Sequence, residues 1–359
     1  MSFDELLALP QFRLEQARKE EVLLDQLNQL TDYHRSHCPE YDRLVRIVFP
    51  RFKEARTLAD LPYIPASLFK THSLKSIPED RIFKTLTSSG TTGQQVSQIA
   101  LDAETARRQT TALSRIMTHV LGPERLPMML IESSGLLKDR FRFSARSAGV
   151  LGMINFGRNH FYALDGDMSL NRRGLEAFLQ AHGARPFAIF GFTFMVWEYL
   201  LRTVQSGEFD FRQGILIHSG GWKKLQDQAV SNEEFRRAWR EKTGLEHIYN
   251  FYGMVEQVGS VFLEGEDACL YPPNFADVII RNPNTFSESA PREIGIIQAL
   301  SVVPLSYPGH SLLTEDQGLI EGIDVNACGR KGKAFRVIGR VPKAELRGCS
   351  DVHAVGVGA

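Results

Sequence analysis

The chain has little cysteine, no excess of charge of either sign and no long hydrophobic run. Its four cysteines, Cys38, Cys269, Cys328 and Cys349, form no CxxC pair and no disulfide grid, which leads to the expectation of a reduced, cytoplasmic protein. Forty-two basic and 42 acidic residues cancel, so nothing global attracts DNA, RNA or an anionic membrane. The most apolar stretch, "PFAIFGFTFMVW", meets Glu198 well short of the roughly 20 residues that a membrane span needs. The start, "MSFDELLALP", carries acids and no basic leader region, so no signal peptide is expected. No GxxxxGK-Ser/Thr occurs, and "GVG" stands only at the extreme C-terminus with no helix to follow. A Walker loop and a dinucleotide fingerprint are therefore both excluded.

What is present alternates. At 359 residues the chain is long for one core, and one large domain with a smaller lobe is expected. Leu23, Leu24, Leu27 and Leu30 mark an amphipathic N-terminal helix, and "VSQIAL" reads as a strand. Asp102 can cap a helix striped by Leu113, Ile116, Met117, Val120 and Leu121 and stopped by Gly122. "LPMMLIES" and "RPFAIFGF" read as buried strands flanking a helix near residues 171–182, and "GILIHSGG" as a strand ending in a glycine turn. Ser231 and Glu234 have capping-box spacing ahead of a helix that closes on Gly244, and "LEHIYNFYG" is a strand again. Strands alternating with helices indicate an α/β architecture. From about residue 260 short strands with Pro and Gly turns indicate an antiparallel part.

Four segments carry chemistry. "LTSSGTTGQQVSQIALD" sets five hydroxyl residues and two glycines into the seven positions from Thr87 to Gly93. Such a segment offers N–H groups, hydroxyls and free backbone torsions for a polyanion, or it is a solvated polar turn. "HSGGWKK" ends a strand with paired glycines, against which a flat ring can lie, or it is an ordinary strand-to-helix turn. "YNFYGMVEQ" places aromatics and Glu256 at a strand's end, where α/β sheets bind ligands, or forms a buried aromatic cluster with one surface acid. In "LLTEDQG", Asp316 can accept both hydroxyls of a ribose or start a turn.

The order of these segments, followed by Gly-Arg, resembles the adenylate-forming ligase superfamily. Within it, "LPYIPASLFKTHSLKSIP", "LTSSGTTGQQVSQIALD", "NFYGMVEQVGS" and "GRVPKAELRGCS" look closest to the acyl-protein synthetase (LuxE) family, the synthetase component of the bacterial bioluminescence fatty acid reductase. The resemblance runs from about residue 5 to residue 351. It implies an α/β fold of the N-terminal ligase type, with mixed sheets flanked by helices and a smaller antiparallel β subdomain. The expected division is 1–259 for the main nucleotide- and acyl-binding region, 260–340 for the β-rich subdomain and 341–359 for a short hinge and tail.

The resemblance also implies ATP and Mg2+ as cofactors and assigns roles by position. Ser88, Ser89, Gly90, Thr91, Thr92 and Gly93 would hold the ATP phosphates. Gly220 and Gly221 would line the adenine, with Tyr252 and Gly253 near it. Glu256 would bind magnesium, Asp316 the ribose, and Arg340 would make the last adenylate contact before the hinge. Phe190, Phe192, Phe194 and Trp197 would line an acyl pocket, although the same run reads equally as a buried strand and helix. Cys349 would accept the acyl group. It lies beside Gly348, with Arg347 and Lys343 near enough in sequence to favour the thiolate; Cys38, Cys269 and Cys328 are the alternatives.

Three departures stand out. Gln94 and Gln95 occupy positions where many relatives have a lysine, and Val255 replaces the threonine of Tyr-Gly-x-Thr-Glu. The chain also stops about ten residues past "GRVPKAELRG", so the C-terminal ligase lobe, with its lysine, is expected to be absent and the charge-stabilising cation is unassigned. The implied function is ATP-dependent activation of a fatty or related carboxylic acid and transfer to a protein thiol, feeding a separate NADPH-dependent acyl reductase. An acyl- or aryl-CoA ligase and an inactive acyl-binding scaffold are the alternatives.

Overall fold

Two kinds of strand pairing divide the chain. The computed structural model describes residues 1–88, 95–137, 145–222, 229–325 and 327–341. These fall into a first unit, comprising Met1–Ser88, 95–119 and 252–341, and a second unit, Val120–Phe251.

The first unit begins with helices α1 (Phe3–Ala8), α2 (Gln16–His37) and α3 (Pro39–Val48). Leu23, Leu27 and Leu30 of α2 are buried and Leu24 is half-buried, as the leucine spacing predicts. Next come β1 (Ile64–Pro65), the short helix α4 (Leu68–Thr71), the antiparallel pair β2 (Lys84–Thr87) and β3 (Gln98–Leu101), and α5 (Ala103–Leu121). Asp102 caps α5, its carboxylate accepting the Thr105 N–H at 2.7 Å.

The second unit alternates strand and helix: β4 (Leu126–Ser133), α6 (Ala145–Ile154), β5 (Gly157–Leu164), α7 (Arg172–His182), β6 (Phe187–Phe192), α8 (Thr193–Met195), β7 (Gly214–Ser219), α9 (Asn232–Thr243) and β8 (His247–Tyr252). All neighbouring strands are parallel, in the order β5-β4-β6-β7-β8. All six residues of β6 are buried, because a central parallel strand is covered on both faces. The Ser231–Glu234 capping box is formed, and α9 ends on Gly244 in the left-handed conformation.

The chain then returns to the first unit with β9 (Phe262–Glu264), β10 (Leu270–Tyr271), β11 (Ala276–Arg281), β12 (Gly295–Ser301), β13 (Ser311–Ile323) and β14 (Lys333–Arg340). These pair antiparallel in the order β11-β12-β13-β14-β10-β9, and β1 adds to β13 in parallel. The two units are thus not consecutive in sequence, in contrast to the expected division into 1–259 and 260–340. One hydrophobic cluster is the reason: Cys38, Tyr41, Ile64, Phe69 and Ile99 are buried together with Val258, Tyr307 and Leu312. Such long-range burial leaves no trace in local periodicity. The tail, 342–359, which includes Cys349, lies outside the described residues. Among those described, no helix is long and apolar enough to cross a membrane.

Two histidines are sealed into the first unit. His34 of α2 and His310, just before β13, are fully buried, with rings stacked 4.9 Å apart. His34 Nδ1 bonds Ser76 Oγ at 2.8 Å, and His310 Nε2 bonds Thr31 Oγ1 at 3.0 Å. Burial holds His34 well below the usual imidazole range and pushes His310 down to about 3. Both rings stay neutral in the fold, whereas the unfolded chain protonates them below about 6.5. Unfolding therefore takes up protons, and stability is flat above pH 7 and falls as the pH drops below 6.5. In urea titrations these two rings should together make the first-unit unfolding free energy about 3 kcal/mol lower at pH 5.5 than at pH 7.5, about 1.4 kcal/mol for each ring, and His119, pushed down to about 4 by burial, adds to the fall. Equal values at the two pH values would mean that the rings titrate alike in both states.

Candidate active site

β2 and β3 bring together the ends of the hydroxyl- and glycine-rich segment. Thr87 stands opposite Gln98, the Ser88 N–H donates to Ser97 O at 3.1 Å, and the Ser97 N–H donates to Ser88 Oγ at 2.8 Å. Ser88 thus braces the neck of the segment, while Ser89, Gly90, Thr91, Thr92 and Gly93 lie outside the described residues. Ser97 also reaches a second motif, its hydroxyl donating to Glu256 Oε1 at 2.5 Å.

Glu256 lies on a single 3-10 turn, Val255–Gln257, just after β8. The turn is held from beneath: Gln257 Nε2 donates to the carbonyls of Ala299 (3.0 Å) and Gly309 (3.2 Å), and the Val258 N–H donates to Tyr307 Oη at 3.1 Å. Burial pushes the Glu256 carboxyl up, while the Ser97 hydrogen bond and the positive charge of Lys70 pull it down.

The hairpin of β13 and β14 joins the last two motifs. Asp316 is the register partner of Arg340, with Arg340 Nε 3.7 Å from Asp316 Oδ1. The Tyr252 hydroxyl donates to Asp316 Oδ2 at 2.7 Å, and its ring stacks on Phe262 with centroids 6.0 Å apart. Burial holds the Asp316 carboxyl above its ordinary value, opposed by the Tyr252 bond and by Arg340. Burial and the adjoining carboxylate together keep the Tyr252 phenol protonated. Gly253 follows directly, half-buried. The structure therefore brings Ser88, Tyr252, Gly253, Glu256, Asp316 and Arg340 into one unit.

Gly220, Gly221 and the four aromatic residues belong to the other unit. Gly220 follows β7 with φ +82°, a left-handed conformation that glycine adopts without strain, and Gly221 comes next. Phe190 and Phe192 are 1% and 3% exposed and pack edge-to-face at 5.8 Å. Phe194 and Trp197 are half-buried. Trp197 lies on a π-helical turn, Val196–Leu201, and stacks on Phe235 at 5.8 Å.

Several polar residues of both units give no clear sequence signal. Lys70 of α4 lies 3.5 Å from Glu315 Oε1, and Glu315 Oε2 lies 3.7 Å from Arg340 Nη1. In the second unit Glu132, at the end of β4, pairs with Arg146 of α6 at 3.0 Å, with both side chains buried. His218 of β7 bonds Thr193 Oγ1 at 2.9 Å and is kept neutral by burial, its value down to about 3. The one hint in the chain is a carboxylate closing an apolar strand, as in "LPMMLIES".

A sequence profile of the family described as acyl-protein synthetase, LuxE, matches residues 4–356. The chain belongs to this family. It is 23% identical over 301 residues to the long-chain-fatty-acid–luciferin-component ligase of Aliivibrio fischeri, a match covering 82% of this chain and 78% of that protein. The protein of the same name from Vibrio harveyi is 23% identical over 305 residues, covering 82% and 77%. An open conformation of 2-hydroxyisobutyryl-CoA ligase, solved in complex with 2-HIB-AMP and CoA, is similar at a TM-score of 0.68 and 18% identity, over 92% of this chain and 77% of that one. The same enzyme in the postadenylation state gives 0.63 and 17%, over 92% and 69%. The fold of this LuxE-family member is thus that of the adenylate-forming ligases, and the chain is a ligase.

The Tyr252–Asp316 bond can be tested without any ligand. Tyr252→Phe removes the O–H donor and leaves Asp316 Oδ2 without it. Denaturant unfolding should show a loss of about 1.5–3 kcal/mol, as for a hydrogen bond to a charged acceptor. A loss of only a few tenths would mean that water replaces the hydroxyl.

Proposed function

We propose that the chain activates a long-chain or related carboxylic acid with ATP and transfers the acyl group to a protein thiol that serves a separate NADPH-dependent acyl reductase. One observation carries this reading: Ser97–Glu256 and Tyr252–Asp316–Arg340 join, within one unit, motifs that are far apart in sequence. The printed names of the relatives, ligases of a long-chain fatty acid, support the acid. The 2-HIB-AMP in the 2-hydroxyisobutyryl-CoA ligase structures supports an adenylate.

Magnesium fits the donor set. No group of three or more His, Cys, Asp or Glu side chains able to hold a metal ion occurs among the described residues. A closed protein cage is not what Mg2+ uses, however; it binds through one or two carboxylates together with substrate phosphates. Glu256, partly buried and with its carboxyl pushed up by burial, would be such a ligand, because a divalent cation favours the charged form. When bound, Mg2+ would neutralise phosphate charge.

The chain's own residues then divide the work. Asp316 would accept the ribose hydroxyls, with Tyr252 and Arg340 fixing its carboxylate. A carboxylate oxygen of the acid attacks the α-phosphorus, the bond to the bridging oxygen breaks, and pyrophosphate leaves with both its electrons. The resulting acyl-adenylate is a mixed anhydride. A thiolate, assigned to Cys349, adds to its carbonyl and expels AMP, giving a thioester. Reduction of that thioester needs a hydride donor and is assigned to the partner.

Incubation with ATP, Mg2+ and a panel of fatty and aryl acids should release AMP with at least one acid; a folded protein that releases none would overturn the reading. Glu256→Gln should reduce transition-state stabilisation by about 2–4 kcal/mol in acid-dependent pyrophosphate exchange while barely moving the melting temperature. Cys349→Ser should keep that exchange and abolish hydroxylamine-labile acylation of the protein. Continued labelling of the Cys349→Ser protein would assign the acceptor to another residue, and CoA-dependent turnover would make the chain a CoA ligase.

A further inference from the structure

We propose that Lys70 supplies the positive charge that holds the triphosphate of ATP beside Glu256. This inference rests on the nucleotide reading of the site given above and fills the place that the sequence left open. Gln94 and Gln95 stand where many relatives have a lysine, and a triphosphate bound beside carboxylates is favoured by charge-assisted hydrogen bonds from a cation.

The fold delivers Lys70 to that place by a short chain of contacts. β1 pairs with β13, Ile64 opposite Leu312 and Pro65 opposite Leu313, and the Ala66 N–H donates to Leu313 O at 2.9 Å. The backbone then turns into α4, where Phe69 is 1% exposed and anchored in the first unit's hydrophobic cluster. The next side chain, Lys70, runs alongside β13, with its ammonium 3.5 Å from Glu315 Oε1. It is only 12% exposed, whereas a lysine without a specific task keeps its head in water. Its charge also acts on Glu256.

Charge and position agree. Glu256, Glu315 and Asp316 face two cations, Lys70 and Arg340, within this cluster. Without Lys70, three carboxylates would face one guanidinium, an arrangement that repels a polyanion. The two cations are also placed differently. Arg340 adjoins Asp316, the residue assigned to the ribose, whereas Lys70 pairs with Glu315 and its charge favours the ionised form of Glu256, the residue assigned to the metal at the phosphates. A flexible four-carbon stem lets an ammonium exchange one oxygen partner, the Glu315 carboxylate, for another, a phosphate oxygen.

The test is calorimetric titration of the full-length protein, with Mg2+, using α,β-methylene-ATP, AMP and inorganic pyrophosphate. The methylene bridge prevents turnover, so binding is read without activity. Wild type should bind the ATP analogue more tightly than AMP. Lys70→Gln should weaken the analogue and pyrophosphate by about 10- to 100-fold, the loss of one charge-assisted hydrogen bond, and AMP by less than about threefold. Lys70→Arg should recover part of the difference. Lys70→Met, which retains most of the apolar stem, serves as the reading if the glutamine variant does not fold. Equal weakening of AMP and the analogue, or no change in either, overturns the assignment of Lys70 while leaving the nucleotide reading intact. A wild-type protein that binds none of the three ligands overturns both.

Discussion

In the antiparallel pair of β13 and β14, Asp316 stands opposite Arg340, and a slip of one residue would turn one set of side chains to the opposite face. That register gathers Glu315, Asp316 and Arg340, and through them Tyr252 and Lys70. It is not a regular ladder. The pairing shifts between Gln317 and Gly318 and again between Ile320 and Gly322. At Gly318 an added Cβ would lie 2.5 Å from the Arg336 carbonyl, so the close approach at this irregularity needs glycine. Irregular pairing of this kind re-aims side chains, and here it begins just past Glu315 and Asp316.

Burial of charge in the first unit follows two logics. Around Lys19, Asp277 and Lys333 it is structural: Gln16 Nε2 donates to Asp277 Oδ2 at 2.6 Å, which fastens α2 to the β-sheet, and Lys333 Nζ of β14 donates to Val278 O of β11 at 3.0 Å. Removing one partner from such a cluster would strand a buried charge. Around Glu256 and Asp316 the carboxyls instead stand above their ordinary values, each with one hydroxyl donor and a cation nearby. Residues held short of full charge compensation are those able to respond to a ligand.

Local signals in the chain were legible because local physics produces them. The capping box at Ser231, the Asp102 cap, the Gly244 stop and the all-apolar β6 each need only neighbouring residues. The hydroxyl- and glycine-rich segment, Tyr252, Glu256, Asp316 and Arg340 were legible as an ordered set. Lys70 was not, because a lysine after "SLF" looks like any surface charge until β1 is laid against β13. β5 escaped as well: "GRNHFYAL" has five exposed or half-buried residues in succession, so neither strict alternation nor an apolar run announces it. The interleaving of the two units was equally hidden, since the apolar residues of α3 and α4 do not reveal which distant strand will cover them.

That interleaving sets an order of events during synthesis. The Gln16 backbone N–H is bonded by the Asp324 carboxylate, a contact spanning 308 residues. Closing a loop of that length costs about 5 kcal/mol of chain entropy before any contact is gained. The parallel strands of the second unit, all drawn from one uninterrupted stretch, can pair while the chain is still emerging. The N-terminal helices must wait, with their apolar faces uncovered, until β13 and β14 have left the ribosome. A nascent chain is therefore unable to assemble the cluster of Lys70, Glu256 and Asp316 until the residues of β14, through Arg340, have emerged.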